Sequence, residues 1–513
     1  MMEPHGTAAM ETPLEIKLPE GCEDAAVIPG YNRETDPPLQ MYGFTDLANG
    51  RRFAWRYSGK FVYTKATGWL VYDRGRWLLD KTHRAEQAMR STLNLIVQEA
   101  DLVDSGDMTD KEAEDQRKAF YSWAASCQNL SLFNNAMKTA QTMVEFTRDY
   151  AIFDQQPDLF LCGNGTLNLN AGEFGPFDPA HLLTKGSNVW FDPTAVCQKW
   201  EKFLMDVMAG KEHMIRYLAR AIGYTLTTDT GGQCLFVPYG TGGTGKSALL
   251  NVLRGILGEY SFDADAEMFM SKRGDSGQPF ENAGMEGKRG LFAVETEAGK
   301  ELACVKVKRM TGQDPIRACY KGRDHYTIIP CFKVWLATND RPKMNATDDA
   351  MWDRPKLIPF DVKFRDQPTE IKNIAAMLLA EEASGILNWM LAGHAEWKAK
   401  GLDHPEEVKY AVAEWREDED YLGRWLSEVT AKTDVQNDFV PKKDLHERFC
   451  ASGKEADGIS QRDFSEAMKR KGFISDQKWV RGRNQKVWLN LKYTGTWGNY
   501  GDTASHMPDM GSL

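Results

Sequence analysis

The order of apolar and polar residues divides the chain into segments of different periodicity. Between Phe53 and Asp80, aromatic residues alternate with polar residues and are interrupted by glycines, which is typical of short strands and turns. Apolar residues recur at helical spacing in residues 83–155, and residues 200–224 and 370–400 are also predicted to be helical. Residues 160–193 are rich in turn-forming residues, so we expect a compact piece of short elements there.

Further along, the pattern changes to that of an α/β protein. Between Cys234 and Phe360, apolar strand candidates alternate with helix candidates. The acidic stretch Glu414–Asp420 is interpreted as a hinge. Residues 460–472 predict a helix that ends at a glycine, and residues 473–491 predict a hairpin.

The bulk composition limits the classes of protein that need to be considered. A length of 513 residues suggests two to four domains, and 42% hydrophobic with 27% charged residues is ordinary for a soluble globular protein. The formal net charge of -10 argues against a wholly basic nucleic-acid coat, although local basic patches decide DNA binding rather than the total.

The cysteines and the apolar stretches bear on the compartment. Nine cysteines, an odd number with no CxxC pair, argue against a disulfide framework and for a reducing, cytoplasmic setting, which we take to be that of a bacterial host. No secretory signal opens the chain. Residues 375–394 form the most apolar long stretch, but they include Glu381, Glu382 and Asn388, so we predict an amphipathic helix and no membrane association.

A glycine-rich segment carries the clearest chemistry. It matches the phosphate-binding pattern G-x-x-x-x-G-K-[ST], with an apolar strand candidate before it and a helix candidate after it. Glycines let several backbone N–H groups point at phosphates, and the following helix adds its positive end. We predict an ATP site with Mg²⁺ formed by Gly240, Thr241, Gly242, Gly243, Thr244, Gly245, Lys246 and Ser247, in which Lys246 contacts the β- and γ-phosphates and Ser247 the metal.

Two carboxylates follow about fifty residues later. Residues 290–297 predict a buried strand that ends in Glu295 and Glu297. A nucleotide hydrolase needs one acid to orient Mg²⁺ and another to polarise the attacking water. Because apolar strands that end in glutamate are common, this motif gains its weight from the glycine-rich segment before it.

Two more polar residues extend the candidate site. Asn339 ends the apolar strand candidate 334–338 and would contact the γ-phosphate or the attacking water, or else serve only as a turn residue. Arg354 follows Trp352 and precedes another strand candidate. It would stabilise the charge of the transferred phosphoryl group across a subunit boundary, or else be an ordinary surface arginine.

The order of these motifs resembles a known family. The segments GTGGTGKS, AVETE, VKRMTGQDPIRA, FKVWLATNDRP and DDAMWDRPKLIPF resemble those of the superfamily 3 helicases, and more narrowly the helicase part of phage, plasmid and poxvirus primase-helicases. The resemblance extends over residues 50–490 and implies an AAA+-type P-loop ATPase core. It also implies that Ser247 and Glu295 bind the metal. The catalytic residues that it implies are Lys246, Glu295, Glu297, Asn339 and Arg354.

The resemblance also implies how the protein acts on DNA. Relatives form hexameric rings that encircle single-stranded DNA, translocate 3′ to 5′ and contact the strand through basic residues of a central hairpin. Here those residues would be Lys306, Lys308, Arg309, Lys321 and Arg323. Two departures matter: Thr296 separates the acids, which leaves their individual roles open, and Asp353 stands where relatives often carry a second arginine.

The carboxy-terminal region is locally basic. Residues 459–493 carry nine Lys/Arg and three Asp/Glu, and a helix followed by a basic-tipped hairpin suggests a winged helix. Its face would contact DNA phosphates, bind protein, or be merely solvated. The candidate phosphate contacts are Lys469, Lys471, Arg481, Arg483 and Lys486.

Together these patterns predict an α/β fold in several parts. Because few residues precede the matching region, we expect no primase part and hence a separate primase or polymerase as a partner, alongside single-stranded and forked DNA. An ATP-controlled origin-binding loader is the main alternative to a processive helicase. The predicted parts are a leader (1–40), an α+β N-terminal domain (41–195), a helical collar (196–232), the ATPase core (233–365), a helical segment (366–415), a winged-helix-like domain (421–493) and a tail (494–513).

Overall fold

The computed structural model divides the chain into two compact units, Met1–Gly186 and Ser187–Leu513. The leader predicted for residues 1–40 lies outside the described residues, as does the predicted tail beyond Thr494. The structure describes residues 43–494 except 104–105, 107, 272–281, 283, 296–298, 320–325, 345–347, 436–437, 454–455, 457 and 481.

The first unit combines helices with two small antiparallel sheets, ordered β1-β2-β3 and β4-β5-β6. Its core is rich in aromatic side chains, including Phe53, Trp69 and Phe146. Its elements are α1 (Asp46–Tyr57), β1 (Phe61–Thr64), β2 (Gly68–Asp73), β3 (Arg76–Leu79), α2 (Arg84–Asn94), α3 (Ile96–Ala100), α4 (Asp110–Ser126), α5 (Leu130–Ala140), β4 (Leu159–Cys162), β5 (Gly165–Asn168) and β6 (Glu173–Gly175).

The predicted strands of Phe53–Asp80 begin later than expected. Phe53 lies in α1, and the first strand starts only at Phe61. Thr45 caps α1 by accepting a hydrogen bond from the Ala48 N–H, and Phe53 and Tyr57 are buried one helical turn apart. The prediction was wrong for Phe53–Tyr57, because aromatic residues at i and i+4 spacing fit a helix as well as a strand.

The second unit contains the α/β core and the carboxy-terminal elements. Its elements are α6 (Gln198–Val207), α7 (Glu212–Thr225), β7 (Leu235–Tyr239), α8 (Lys246–Leu257), β8 (Ser261–Asp263), β9 (Gly290–Glu295), α9 (Cys304–Thr311), β10 (Ile316–Ala318), β11 (Tyr326–Ile328), β12 (Lys333–Thr338), α10 (Asp349–Trp352), β13 (Pro355–Pro359), α11 (Ile374–Lys400), α12 (Glu406–Glu419), α13 (Tyr421–Val429), β14 (Thr430–Lys432), β15 (Phe439–Pro441), α14 (Lys442–Cys450), α15 (Gln461–Arg470), β16 (Ser475–Val480), β17 (Arg483–Leu489) and β18 (Leu491–Tyr493).

A five-stranded sheet, in the order β13-β7-β12-β9-β8, forms the centre of this unit. All neighbouring strands are parallel, and Thr338 of β12 is paired with both Tyr239 of β7 and Glu295 of β9. The carboxyl ends of these three strands therefore meet at one edge of the sheet, where parallel α/β sheets place their ligands. The predicted α/β class is confirmed, while the narrower AAA+ and P-loop descriptions stay predictions.

Helices α7 and α11 approach each other through glycines. A side chain at Gly393 would overlap the Ala219 carbonyl, and one at Gly223 would overlap the backbone of His394. Among the described residues, α11 is long and apolar enough to cross a bilayer, judged by its length and composition alone. The glycines at this contact let the backbones of α11 and α7 approach closely, so the two helices pack as neighbours within one folded unit.

The acidic stretch Glu414–Asp420 is helical as far as Glu419, and Asp420 lies between α12 and α13. Helix α12 continues through it to Glu419, and Arg341 pairs with both Glu414 and Asp418. The interpretation was wrong for Glu414–Glu419, because Glu414 and Asp418, four residues apart on one face of the helix, hold the segment after β12 through Arg341. The Met344 N–H also donates to a carboxylate oxygen of Glu419 at 3.1 Å.

The carboxy-terminal elements α13 to β18 share one hydrophobic cluster, which includes Leu445, Phe464 and Trp488. The sheet β15-β17-β16 contains the predicted hairpin, since β16 and β17 are antiparallel. Ser460 caps α15, and Gly472 follows it with a positive φ of 82°. The predicted helix and hairpin are both observed, whereas the winged-helix assignment and the domain boundaries stay predictions.

Candidate functional site

The segment between β7 and α8 is a tight turn that only glycine can occupy at key positions. Gly240, Gly243 and Gly245 all have positive φ, at 147°, 87° and 97°. A side chain at Gly240 would overlap the Phe360 carbonyl, and one at Gly243 would overlap the side chain of Arg365. The glycines thus let the backbone pass close to the segment that follows β13.

Lys246 is the first residue of α8 and is only 6% exposed. Its ammonium group donates to the carbonyl oxygens of Gly240 at 2.5 Å and Thr241 at 2.8 Å, and it lies 3.4 Å from the Thr244 hydroxyl. Burial lowers the pKa of this lysine from its usual value. The adjacent Ser247 is exposed at the amino end of the same helix.

A cavity of about 650 Å³ opens at the carboxyl edge of the sheet. Gly242 to Ser247 of the glycine-rich segment line it together with Glu295 and Asn339, which are part of the predicted catalytic set. Glu295 is 6% exposed, and Lys300 Nζ lies 3.7 Å from one of its carboxylate oxygens. Asn339 is exposed and follows directly on the Thr338–Glu295 pair. The second acid, Glu297, lies outside the described residues.

The cavity has further walls that the sequence did not indicate. One comes from α6, which contributes the apolar Phe203 and Val207 together with charged residues. Another comes from the segment after β13, where Arg365 is packed against the glycine-rich segment and its N–H lies 3.3 Å from the Gly243 carbonyl. The missed residues share no motif, and only the fold brings them to this edge.

Arg354 lies at the amino ends of the strands, at the edge of the sheet opposite the cavity. It directly precedes β13, and its carbonyl accepts from the Leu235 N–H at the start of β7. Its guanidinium donates to Thr311 Oγ1 at 3.1 Å and to Gln233 Oε1 at 3.0 Å, and also to the Ala350 carbonyl. The cavity lies at the opposite ends of these strands, so Arg354 does not line the cavity of its own chain.

The predicted DNA-contacting residues of the core lie partly on α9. Lys308 is paired with Asp348 at 2.7 Å, whereas Arg309 is exposed. Lys306 is half-buried on the same helix. The antiparallel pair β10–β11 follows, but the connecting residues Lys321 and Arg323 lie outside the described residues.

Among the predicted carboxy-terminal contacts, Lys469, Arg483 and Lys486 are exposed. Lys471 is half-buried and paired with Asp420. Arg481 lies outside the described residues.

Two protein-family models match parts of the chain. One, described as "D5 N terminal like", matches residues 50–209, and the other, a "Family of unknown function (DUF5906)", matches residues 239–354, which include the glycine-rich segment, Glu295 and Asn339. One curated relative bears the same D5 name. The protein "Primase D5" of Fowlpox virus (strain NVSL) is 28% identical over 155 residues, which are 28% of this chain and 19% of that protein.

The predicted resemblance to viral primase-helicases is confirmed at the level of the D5-type proteins, while the narrower assignment to the superfamily 3 helicase part stays a prediction. A second relative, "Putative helicase L207/L206" of Acanthamoeba polyphaga mimivirus, is 24% identical over 425 residues, which are 76% of this chain and 44% of that protein. The chain therefore spans less than half the length of these two relatives. Among solved structures, the chain is similar to the apo structure of the NrS-1 C-terminal region, with 12% identity, a TM-score of 0.44, and coverage of 71% of this chain and 90% of that one.

Proposed function

We propose that this protein is an ATP-dependent DNA helicase that acts in the replication of a phage or another mobile element. The observation that carries the proposal is the meeting of Lys246, Glu295 and Asn339 around one cavity at the carboxyl edge of the parallel sheet. Relatives that carry helicase names support the step from a nucleotide site to a helicase.

Each group at the cavity has a chemical task in this proposal. Backbone N–H groups of residues 240–247 and the amino end of α8 bind the phosphates. The Lys246 ammonium exchanges the carbonyls of Gly240 and Thr241 for β- and γ-phosphate oxygens. Asn339 contacts the γ-phosphate or the attacking water, and Glu295 orients Mg²⁺ or polarises that water.

The same cavity has donors that suit Mg²⁺. The Ser247 hydroxyl and the Glu295 carboxylate are oxygen ligands, the kind that Mg²⁺ prefers. Within the described part of the chain no three His, Cys, Asp or Glu residues cluster as a metal site. Mg²⁺ would therefore enter with the nucleotide, held by these two residues and the phosphates, and would neutralise charge on the transferred phosphoryl group.

The position of Arg354 is the reason to propose a ring. Arg354 and the cavity lie at opposite edges of one sheet, so a finger role requires the cavity of a neighbouring subunit. A homo-hexamer that encloses single-stranded DNA would meet that requirement. Lys306, Lys308 and Arg309, with the Lys321 and Arg323 segment, would face the strand, and ATP hydrolysis would move it 3′ to 5′ through the ring.

A purified-protein assay tests the proposal. We expect ATP hydrolysis that single-stranded DNA stimulates, and unwinding of a forked duplex. Lys246→Ala should abolish both, while Lys443→Ala, which changes an exposed lysine on α14, should abolish neither. ATP turnover that ignores single-stranded DNA would instead indicate an ATPase that acts on proteins or small molecules.

The basic carboxy-terminal hairpin favours a second candidate. An origin-binding initiator or loader would use these residues to hold duplex DNA, and ATP would control its assembly. Footprinting on the element's DNA, performed beside the unwinding assay, separates the two functions.

In either case we propose that a separate primase or polymerase supplies primers, and that the protein works in the bacterial cytoplasm without a membrane. Robust template-dependent primer synthesis by the protein alone would contradict this division of labour.

A further inference from the structure

A tryptophan stands on the surface of the carboxy-terminal hairpin. Trp479 of β16 is 73% exposed, whereas Trp488 of β17 is fully buried in the hydrophobic cluster of these elements. Tryptophan has the largest apolar surface of any side chain, and a folded unit gains stability by burying it. A single exposed apolar side chain is common on protein surfaces, so this indole points to a contact with another molecule only through the residues around it.

The strand register places Trp479 beside positive charge. Trp479 is directly opposite Asn484, and Gln477 is opposite Lys486, two residues further along both strands. Side chains of paired residues share a face of the sheet, and that face recurs every second residue. Trp479 and Lys486 are diagonal neighbours on this face, while Asp476 lies on the opposite face.

Two more lysines come from the neighbouring helices α14 and α15. Lys442, the first residue of α14, holds its ammonium 3.9 Å from the centre of the Trp488 ring, and Trp488 shares the face of Lys486. Burial lowers the pKa of Lys442, and the positive charges of Lys469 and Lys486 lower it further. Lys469 of α15 follows Met468, which packs in the same buried cluster as Trp488, so α14, α15 and β17 each contribute one lysine beside this cluster.

We propose that this face, formed by Trp479, Lys442, Lys469 and Lys486, binds single-stranded DNA, with Trp479 stacked on a base. The exposed Lys469 and Lys486 would contact phosphates, and the nearly buried Lys442 would add to their field. Flat aromatic rings beside cations are the features with which proteins bind single strands regardless of sequence. A duplex keeps its bases stacked inside, so it offers no free base to an indole at this position.

The inference rests on the proposed helicase function, because a single strand is what a helicase produces at a fork. It differs from the duplex contact that a winged helix usually makes through a groove. The strand bound here would be held outside the ATPase core, on a surface that the phosphate site does not include.

The test is a binding assay with the full chain and no nucleotide. Fluorescence anisotropy would compare a labelled 20-nucleotide oligothymidylate with a labelled blunt duplex of 20 base pairs. We expect Trp479→Ala to weaken binding of the single strand about tenfold, the loss that corresponds to one stacked base. Trp479→Phe should restore most of the affinity. Trp190→Ala should change nothing, since Trp190 is similarly exposed, at 66%, but lies outside this face.

The lysines are tested by salt dependence. Lys469→Gln and Lys486→Gln should each reduce the slope of log affinity against log salt by about 0.7, the value for one lost phosphate contact on a single strand. Trp479→Ala should leave this slope unchanged, because stacking releases no counterions.

Three outcomes would overturn the proposal. The first is a Trp479→Ala protein that binds the single strand as tightly as the unaltered chain. The second is an equal loss of affinity for single strand and duplex. The third is unchanged DNA binding with reduced self-association in sedimentation, which would assign the face to protein contact. Because the assay contains no ATP, its result is independent of whether the phosphate site hydrolyses nucleotide.

Discussion

Glu295 and Thr338 are paired at the last register position of β9 and β12, and this parallel pairing sets the buried carboxylate beside the polar residue that follows, Asn339. Tyr239, which precedes the glycine-rich segment, is paired with the same Thr338. Three distant stretches of sequence thus end at one level of one sheet. The geometry of the proposed phosphoryl-transfer site is a direct consequence of this register.

Glu295→Gln keeps the shape of the side chain and removes its charge. We expect the rate of ATP hydrolysis to fall by about 100-fold or more, because the carboxylate would hold Mg²⁺ or polarise the attacking water, and a neutral amide is a poor substitute in either role. Nucleotide affinity, measured with a fluorescent ATP analogue, should change much less than the rate. Glu428→Gln, at an exposed position on α13, is the matched control. Full activity of Glu295→Gln together with inactive Glu297→Gln would transfer the role to Glu297.

Arg365→Ala removes a guanidinium that lines the cavity beside Gly243. A cation at this place favours bound phosphates, so we expect ATP affinity to fall about tenfold, which corresponds to a charge-assisted hydrogen bond of ~1.4 kcal/mol. Titration of the analogue would measure it. Arg365→Lys should recover part of the loss, and Lys363→Ala, an exposed neighbour, should have no effect. Unchanged affinity in Arg365→Ala would assign Arg365 to packing alone.

Arg354→Ala tests the trans arrangement. Mixed with unaltered subunits, it should inhibit ATP hydrolysis more than in proportion to its fraction, because each altered subunit leaves a neighbour's site without its finger. Gln233→Ala is the control, since it removes one hydrogen-bond partner of Arg354 but keeps the guanidinium. Activity that falls strictly in proportion to the fraction of Arg354→Ala subunits would contradict a role in trans.

Gly393→Val should destabilise the second unit strongly. The new side chain would overlap the Ala219 carbonyl of α7, so the two helices would have to separate. Overpacking of this kind costs about 1–3 kcal/mol or more in the free energy of unfolding. Ala392→Val introduces the same side chain at the exposed neighbouring position and should cost only a few tenths of a kcal/mol. Equal denaturation midpoints for the two variants would show that the contact between α7 and α11 accommodates the added side chain without loss of stability.

His404 should make the second unit sensitive to acid. Burial, together with the charges of Lys356 and Lys409, lowers the pKa of His404 to about 4, and its ring lies 3.3 Å from the Tyr217 hydroxyl. The unfolded chain takes up a proton near pH 6.5 and the folded chain only near pH 4, so stability is retained above pH 6.5 and lost as the pH falls toward 4.

Thermal denaturation at pH 7.5 and pH 4.5 would measure this loss. After allowance for solvent screening, we expect His404 to account for ~1–2 kcal/mol of it. His404→Gln should reduce the difference between the two pH values, while His213→Gln, at an exposed position, should not. The same pH difference in His404→Gln as in the unaltered chain would exclude His404 as its source.

The predictable part of the site is the part encoded in contiguous residues. The glycine-rich segment and Lys246 form a motif because the turn requires glycine and the phosphates require a lysine at one spacing. The carboxylate and amide at the ends of apolar strands were predictable for the same local reason. Aromatic spacing in α1 and the charge run of α12 were misjudged, because such patterns fit more than one backbone conformation until neighbouring elements bury one face.

The sequence alone thus determined the strands and helices around Lys246 and the chemistry of the residues that end them. Tertiary structure decided which of those ends meet. The parallel register brings Glu295 and Asn339 to the cavity, sets Arg354 at the far edge, and adds Arg365 and Phe203, which no motif marks. It likewise brings Lys486 to the face of Trp479 and Lys442 to the ring of Trp488. Such neighbours are separated by long stretches of chain, and only the packing of the folded state gives them a common location.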